Sequence, residues 1–204
     1  MMRFGLVVVA AWCALVALSH AAQPASVMAA GDVDPALVER ARRWAEENLA
    51  IPVPYAGSLD ISSPTASLHE VAELAARKLP EDAVGAVVLY RGEPDSTNHG
   101  IYRPDLRVVV VNVRELLKDN PDEERIGRRL ERQVIRGICS LMGMEYSPNP
   151  ESAMTYYSTL EELDEIGRNL DPPWLLELQE KARDMGIPLD PDNPYNMFRE
   201  FSEE

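Results

Sequence analysis

The run Glu131–Met154, ERQVIRGICSLMGMEYSPNPESAM, limits the fold more than any other stretch of this chain. It reads as the end of a long helix, a glycine stop, a short loop and a methionine. Ile126, Leu130, Val134, Ile138, Leu141 and Met142 recur at helical spacing and make one apolar stripe. Asn120 or Asp122 can cap the start, beside Pro121 and the acids Glu123 and Glu124, which suit the positive end of a helix. Gly143 is placed to stop it, because glycine takes the left-handed conformation at little cost. Taken alone, the same pattern also describes an ordinary amphipathic helix with a glycine C-cap and Met154 in the core.

A more specific template fits. Metzincin peptidases carry His-Glu-x-x-His-x-x-Gly-x-x-His at such a helix end, followed by a Met-turn. Two histidines four apart share a helix face, and the glycine turns the chain so that a third completes the zinc site. With Gly143 on the motif glycine, the ligand positions fall on Arg136, Ser140 and Tyr146, and the general-base position on Gly137. Here the chain resembles the archaemetzincin family. That family continues with Cys directly after the third His, Cys five residues later, Met two further on, and a Cys-x-x-Cys pair beyond. Ser147, Ser152 and Met154 stand at the first three of these positions, and Pro172 and Leu175 at the last pair. The resemblance spans about Val84 to Pro173 and keeps the Tyr146–Met154 spacing without a gap.

What the resemblance implies is a frame without its chemistry. Zinc needs His, Cys or carboxylate donors. The chain has three histidines, His20, His69 and His99, and the reading of the sequence puts none of them near the site. Arg136 would set a fixed positive charge where a dication belongs, and Gly137 cannot take a proton from water. The expectation is therefore no metal and no other cofactor.

Residues 1–21 read as a secretory signal: Arg3, an apolar stretch from Gly5 to Leu18, then small residues ending at Ala21. The stretch is short for a membrane span, so membrane attachment is expected only if it stays uncleaved. Cleavage there removes Arg3 and moves the formal charge from −14 to −15. Such acidity argues against nucleic-acid binding, which needs a basic footprint, and fits a periplasmic or extracellular protein. Cys139 would then be the remaining cysteine, so the fold cannot depend on an internal disulfide.

Residues 22–33 read as a linker, 34–186 as one domain, and 187–204 as an acidic, proline-rich tail that either packs back through Tyr195, Met197, Phe198 and Phe201 or stays free. Asp34-Pro35 starts a helix with Leu37, Val38, Ala41, Trp44, Ala45 and Leu49 inward. Ile51–Tyr55 reads as a short extended piece, and Ser67–Leu79 as a helix with His69 on its outer side. Val84–Tyr90 reads as a buried strand, Gly92–Gly100 as a polar loop, Ile101-Tyr102 as the start of a short strand and Arg107–Val113 as the clearest strand. A brief helix at Arg114–Lys118 follows. Ser158 and Glu161 suggest a capping box for a helix to Ile166, and Asp171-Pro172-Pro173 opens a helix that Gly186 stops.

The fold expected is α/β and metzincin-like: a small mixed sheet with helices, the motif helix, a Met-turn and a helical lower part. By the resemblance, Tyr102 to Val113, with Val109 and Val111, would line a groove that takes an extended peptide or protein segment. Glu145, Tyr156 and Tyr157 would stand around it. Arg125, Arg129, Arg132 and Arg136 form a basic stripe expected to pair on the surface with neighbours such as Glu124 and Glu131; Arg136 alone has a second reading, a two-pronged grip on a carboxylate from Glu145 or from a ligand. Cys139 shares the face of Ile135 and Met142 and reads as a buried, inert thiol. The favoured function is an exported, catalytically inactive pseudopeptidase that binds peptide or protein. Its alternatives are a hydrolase using Cys139, Ser140 or Glu145, and a structural envelope domain.

Overall fold

The computed structural model describes residues 21–199, so the signal reading of 1–21, apart from Ala21, and Phe201 lie outside the described residues. The described elements run β1 (Ser26–Gly31), α1 (Pro35–Leu49), β2 (Tyr55–Leu59), α2 (Leu68–Ala76), β3 (Ala86–Arg91), β4 (Gly100–Arg103), β5 (Val108–Asn112), α3 (Val113–Leu116), α4 (Glu123–Leu141), α5 (Leu160–Glu165) and α6 (Pro172–Asp184). The strands form one mixed sheet in the order β2-β1-β3-β5-β4. Its first four strands are parallel, and β4 is antiparallel to β5 at the edge.

Strand periodicity divides the core in two. Val27, Val87 and Val109 lie in register across β1, β3 and β5, and Ala29, Leu89 and Val111 form the next row. These rows belong to the larger core, shared with α1, α4 and α6, while Met28, Val88 and Val110 belong to the smaller core under α2. The sheet is thus covered on both faces, as parallel strands require.

The motif helix forms as its stripe dictates. Asp122, one of the two candidate caps, accepts the Arg125 amide at 2.8 Å. At the other end Gly143 has φ +70°. The Met144 amide donates to Cys139 O at 3.0 Å and the Gly143 amide to Ser140 O at 3.0 Å, the paired bonds of a Schellman cap. Asp34 likewise caps α1 through the Ala36 amide.

Several expectations change. Residues 26–31 are not a linker: β1 is buried between β2 and β3, so the domain begins before residue 34. The extended piece expected at 51–55 is displaced to β2. The capping box of α5 joins Thr159 with Glu162, one residue later than expected, and Ser158 adds its own bonds to the Glu162 carboxylate. The tail packs back as far as it is described: Asn193 donates to Glu47 O, Gln179 donates to Tyr195 O, and the Arg183 guanidinium lies over Phe198.

The arginine stripe is the largest correction. Arg129 is 0% exposed and Arg132 and Arg136 are buried. Arg129 sits between two carboxylates, bound to Asp119 at 2.6 and 2.8 Å and to Asp164 at 2.8 and 2.7 Å. Arg132 donates to the carbonyls of Asp164, Ile166 and Gly167, closing the C-terminal end of α5. Buried Glu131 holds Arg40 at 2.8 Å and Arg168 at 2.6 Å, tying α1 to α4. These arginines are buttresses because acids distant in sequence converge on them.

Candidate functional site

A cleft of about 390 Å³ runs between α4, the edge strand β4 and the Tyr156–Ser158 segment. Arg136, Gly137, Ser140 and Tyr146 all line it, together with Tyr102, Val109, Val111, Tyr156 and Tyr157. The four positions that the motif template singles out therefore share one wall. Glu145 lines an adjoining hollow that also includes Tyr102, Ser140 and Tyr146.

Helix and sheet meet closely at Gly137. A Cβ there would lie 2.6 Å from Val87 Cγ2 and 3.4 Å from Val109 Cγ1. The missing side chain is thus what lets α4 lie down on the central valine row.

Arg136 projects one residue before that contact. Its Nη1 donates to Ala153 O at 2.7 Å and Thr155 O at 2.6 Å, the carbonyls on either side of buried Met154. The guanidinium also lies over the rings of Tyr157, at 4.7 Å, and Tyr146, at 5.3 Å. Tyr157 accepts from Gln133 Nε2 at 2.6 Å. The grip of Arg136 on Glu145 does not form: Arg136 has no carboxylate partner among the described ion pairs, and Glu145 contributes its backbone carbonyl to Trp174 Nε1.

Sequence reasoning missed His99. The sequence reading sets it away from the site, yet it lines the cleft and stacks on Tyr157 with centroids 5.6 Å apart. Burial pulls its pKa below the ordinary histidine value. Asn112 fixes this corner: fully buried at the end of β5, it donates its amide to His99 O and its Nδ2 to Ser96 O and Asn98 O. An asparagine inside RVVVVNV was the available signal, since a lone polar residue in a buried valine strand needs partners.

The residues at the three ligand positions do not fit zinc. Arg136 is a cation, while Ser140 and Tyr146 are neutral hydroxyls. Among the described residues no cluster of three or more His, Cys, Asp or Glu side chains can hold a metal ion. Burial pushes the Cys139 thiol far up from its usual value, and the side chain is fully enclosed, so it is no accessible nucleophile. Ser140 makes no hydrogen bond to His99 among those described. His69 stays outside the cleft, against Arg103.

Fold and site geometry define an α/β architecture, a mixed five-stranded sheet covered by helices, with an open cleft beside its edge strand. No protein-family model and no curated protein sequence matches the chain. Solved structures do. The archaemetzincin of Methanopyrus kandleri superposes with a TM-score of 0.64 at 17% identity, over 83% of this chain and 99% of that one. A zinc-dependent peptidase from Methanocorpusculum labreanum gives 0.62 at 16%, over 76% and 99%. The archaemetzincin of Archaeoglobus fulgidus, complexed with malonate, gives 0.56 at 13%, over 77% and 99%. The fold is the archaemetzincin fold. Among the described residues no helix is long and apolar enough to cross a membrane.

Proposed function

We propose that the chain is an exported, non-catalytic relative of the archaemetzincins that takes an extended peptide or protein segment along β4. The observation that carries this reading is the replacement, within one intact cleft, of every ligand position and the base position by Arg136, Ser140, Tyr146 and Gly137. Metal-assisted water activation needs the metal ligands and a base beside them, and the four template positions supply neither; His99, the imidazole in the cleft, makes no hydrogen bond to Ser140 among those described.

The edge strand supports the binding half. Asn112 N donates to His99 O at 2.8 Å, and the antiparallel register continues through Ile101↔Val110 and Arg103↔Val108. Alternation then turns the N–H and C=O of Gly100 and Tyr102 away from β5, toward the free edge. Those groups can add one more strand.

A library of short peptides, screened against the mature protein, tests this. Binders should shift the backbone amides of Gly100–Arg103, and mass spectrometry should find them uncut. Tyr102→Pro removes one outward donor at an edge position where proline is tolerated, and should weaken binding about tenfold. Cleaved peptides would end the non-catalytic reading; binders that leave Gly100–Arg103 undisturbed would end the groove. The mass of the secreted chain, expected to begin at Ala22 rather than Met1, checks export.

A further inference from the structure

The cleft has one uncompensated charge. Of its lining residues only Arg136 is ionised at neutral pH, since His99 is held neutral by burial, and no carboxylate lines the wall. This stands out in a chain with formal charge −14. Arg136 is only 9% exposed. Burial works against its charge, and its closest ionisable neighbours are two phenols and a thiol, with no carboxylate among them. A guanidinium keeps its proton in such a place, so a buried, unpaired charge is costly until an anion joins it.

The donors that remain have a definite shape. Nη1 is occupied by the carbonyls of Ala153 and Thr155. Nε and Nη2, which form the side-on fork, have no carbonyl or carboxylate among the described bonds; the further polar neighbour of the guanidinium is the hydroxyl of Tyr146, a residue 57% exposed. Two turns earlier on the same helix, Arg129 shows what fills that fork: its Nε and Nη2 bind Asp164 Oδ1 and Oδ2 at 2.8 and 2.7 Å. At Arg136 no such partner is found among the described residues, and the side chain lines a cleft.

We propose that Arg136 is the receptor for a carboxylate on the peptide that occupies the groove, held side-on by Nε and Nη2 between the rings of Tyr146 and Tyr157. The identity of the peptide part rests on the groove reading above; the carboxylate grip does not. The carboxylate comes from the peptide's C-terminus or from an acidic side chain, and the two sources share this chemistry.

The test uses the full mature protein and peptides selected for binding, each made as free acid, as C-terminal amide, and with its acids changed to amides. Loss of the recognised carboxylate should weaken binding about ten- to hundredfold, and the form that suffers identifies the source. Succinate alone should shift the Arg136 Nε–H resonance. Arg136→Gln should remove the preference for acid over amide, and Arg136→Lys should keep part of it. If Arg136→Gln fails to fold, the acid and amide pair on the unaltered protein still decides. Equal binding of all forms, with no response to succinate, overturns the carboxylate site and leaves the groove. A succinate response without any peptide binder leaves the carboxylate site and removes the groove. Silence in both removes both.

Discussion

Arg129 and Arg136 stand two turns apart on one helix, both buried, and the chain treats them in opposite ways. Arg129 receives two carboxylates, from Asp119 and Asp164, and all of its fork donors are used. Arg136 receives two neutral carbonyls and two aromatic faces. The first arrangement is closed and holds the lower helices to α4. The second is open on one side. Side-chain identity and burial alone therefore do not separate an arginine locked between acids from one that lines a cleft; the count of counter-charges does.

The difference can be broken first through stability. Arg129→Met removes the fully buried cation on which two carboxylates gather and leaves Arg125 as their remaining partner, and urea unfolding should show a loss of about 3 kcal/mol. Arg136→Met loses two carbonyl bonds but also removes a poorly solvated charge, so the same measurement should show only about 1–2 kcal/mol. Equal losses would mean that Arg136 is as structural as Arg129.

Acid separates the two sites further, with the smallest effect. The Arg129 bond, aided by Arg125, holds Asp119 below the ordinary carboxylate value; in Asp164 burial pulls upward but those same bonds prevail. A depressed carboxylate means that the unfolded chain binds its proton more readily, so this stability is present above about pH 4 and is lost as pH falls through the folded values. His99 is also depressed, by burial, with Glu115 opposing and Arg129 and Lys118 assisting. Its contribution is present above about pH 6.5 and is lost as pH falls through its folded value. Residue-resolved hydrogen exchange should therefore find the His99–Tyr157 corner loosening at milder acidity than the Arg129 cluster. Simultaneous loosening near pH 4 would refute that order.

The sequence made α4, its Asp122 cap, the Gly143 stop and β5 legible because each rests on local periodicity or on one residue with a special backbone preference. It also brought Arg136, Gly137, Ser140 and Tyr146 together through a single helix–turn spacing. It hid β1, because SVMAAG is a strand covered on both faces and so lacks alternation; its alanines and Met28 are divided between the two cores. It hid the fate of the arginine stripe, since Asp119 and Asp164 come from outside the helix. His99 was hidden for the same reason: only the antiparallel return of β4 on β5 carries it to the cleft.

Gly137 ties its own position to residue 87. Its backbone rests where any side chain would strike Val87, so a glutamate at that position would push the helix off the sheet unless residue 87 were smaller. The two positions can therefore change only together, and the close seat of α4 on the valine row is held by the absence of a single Cβ.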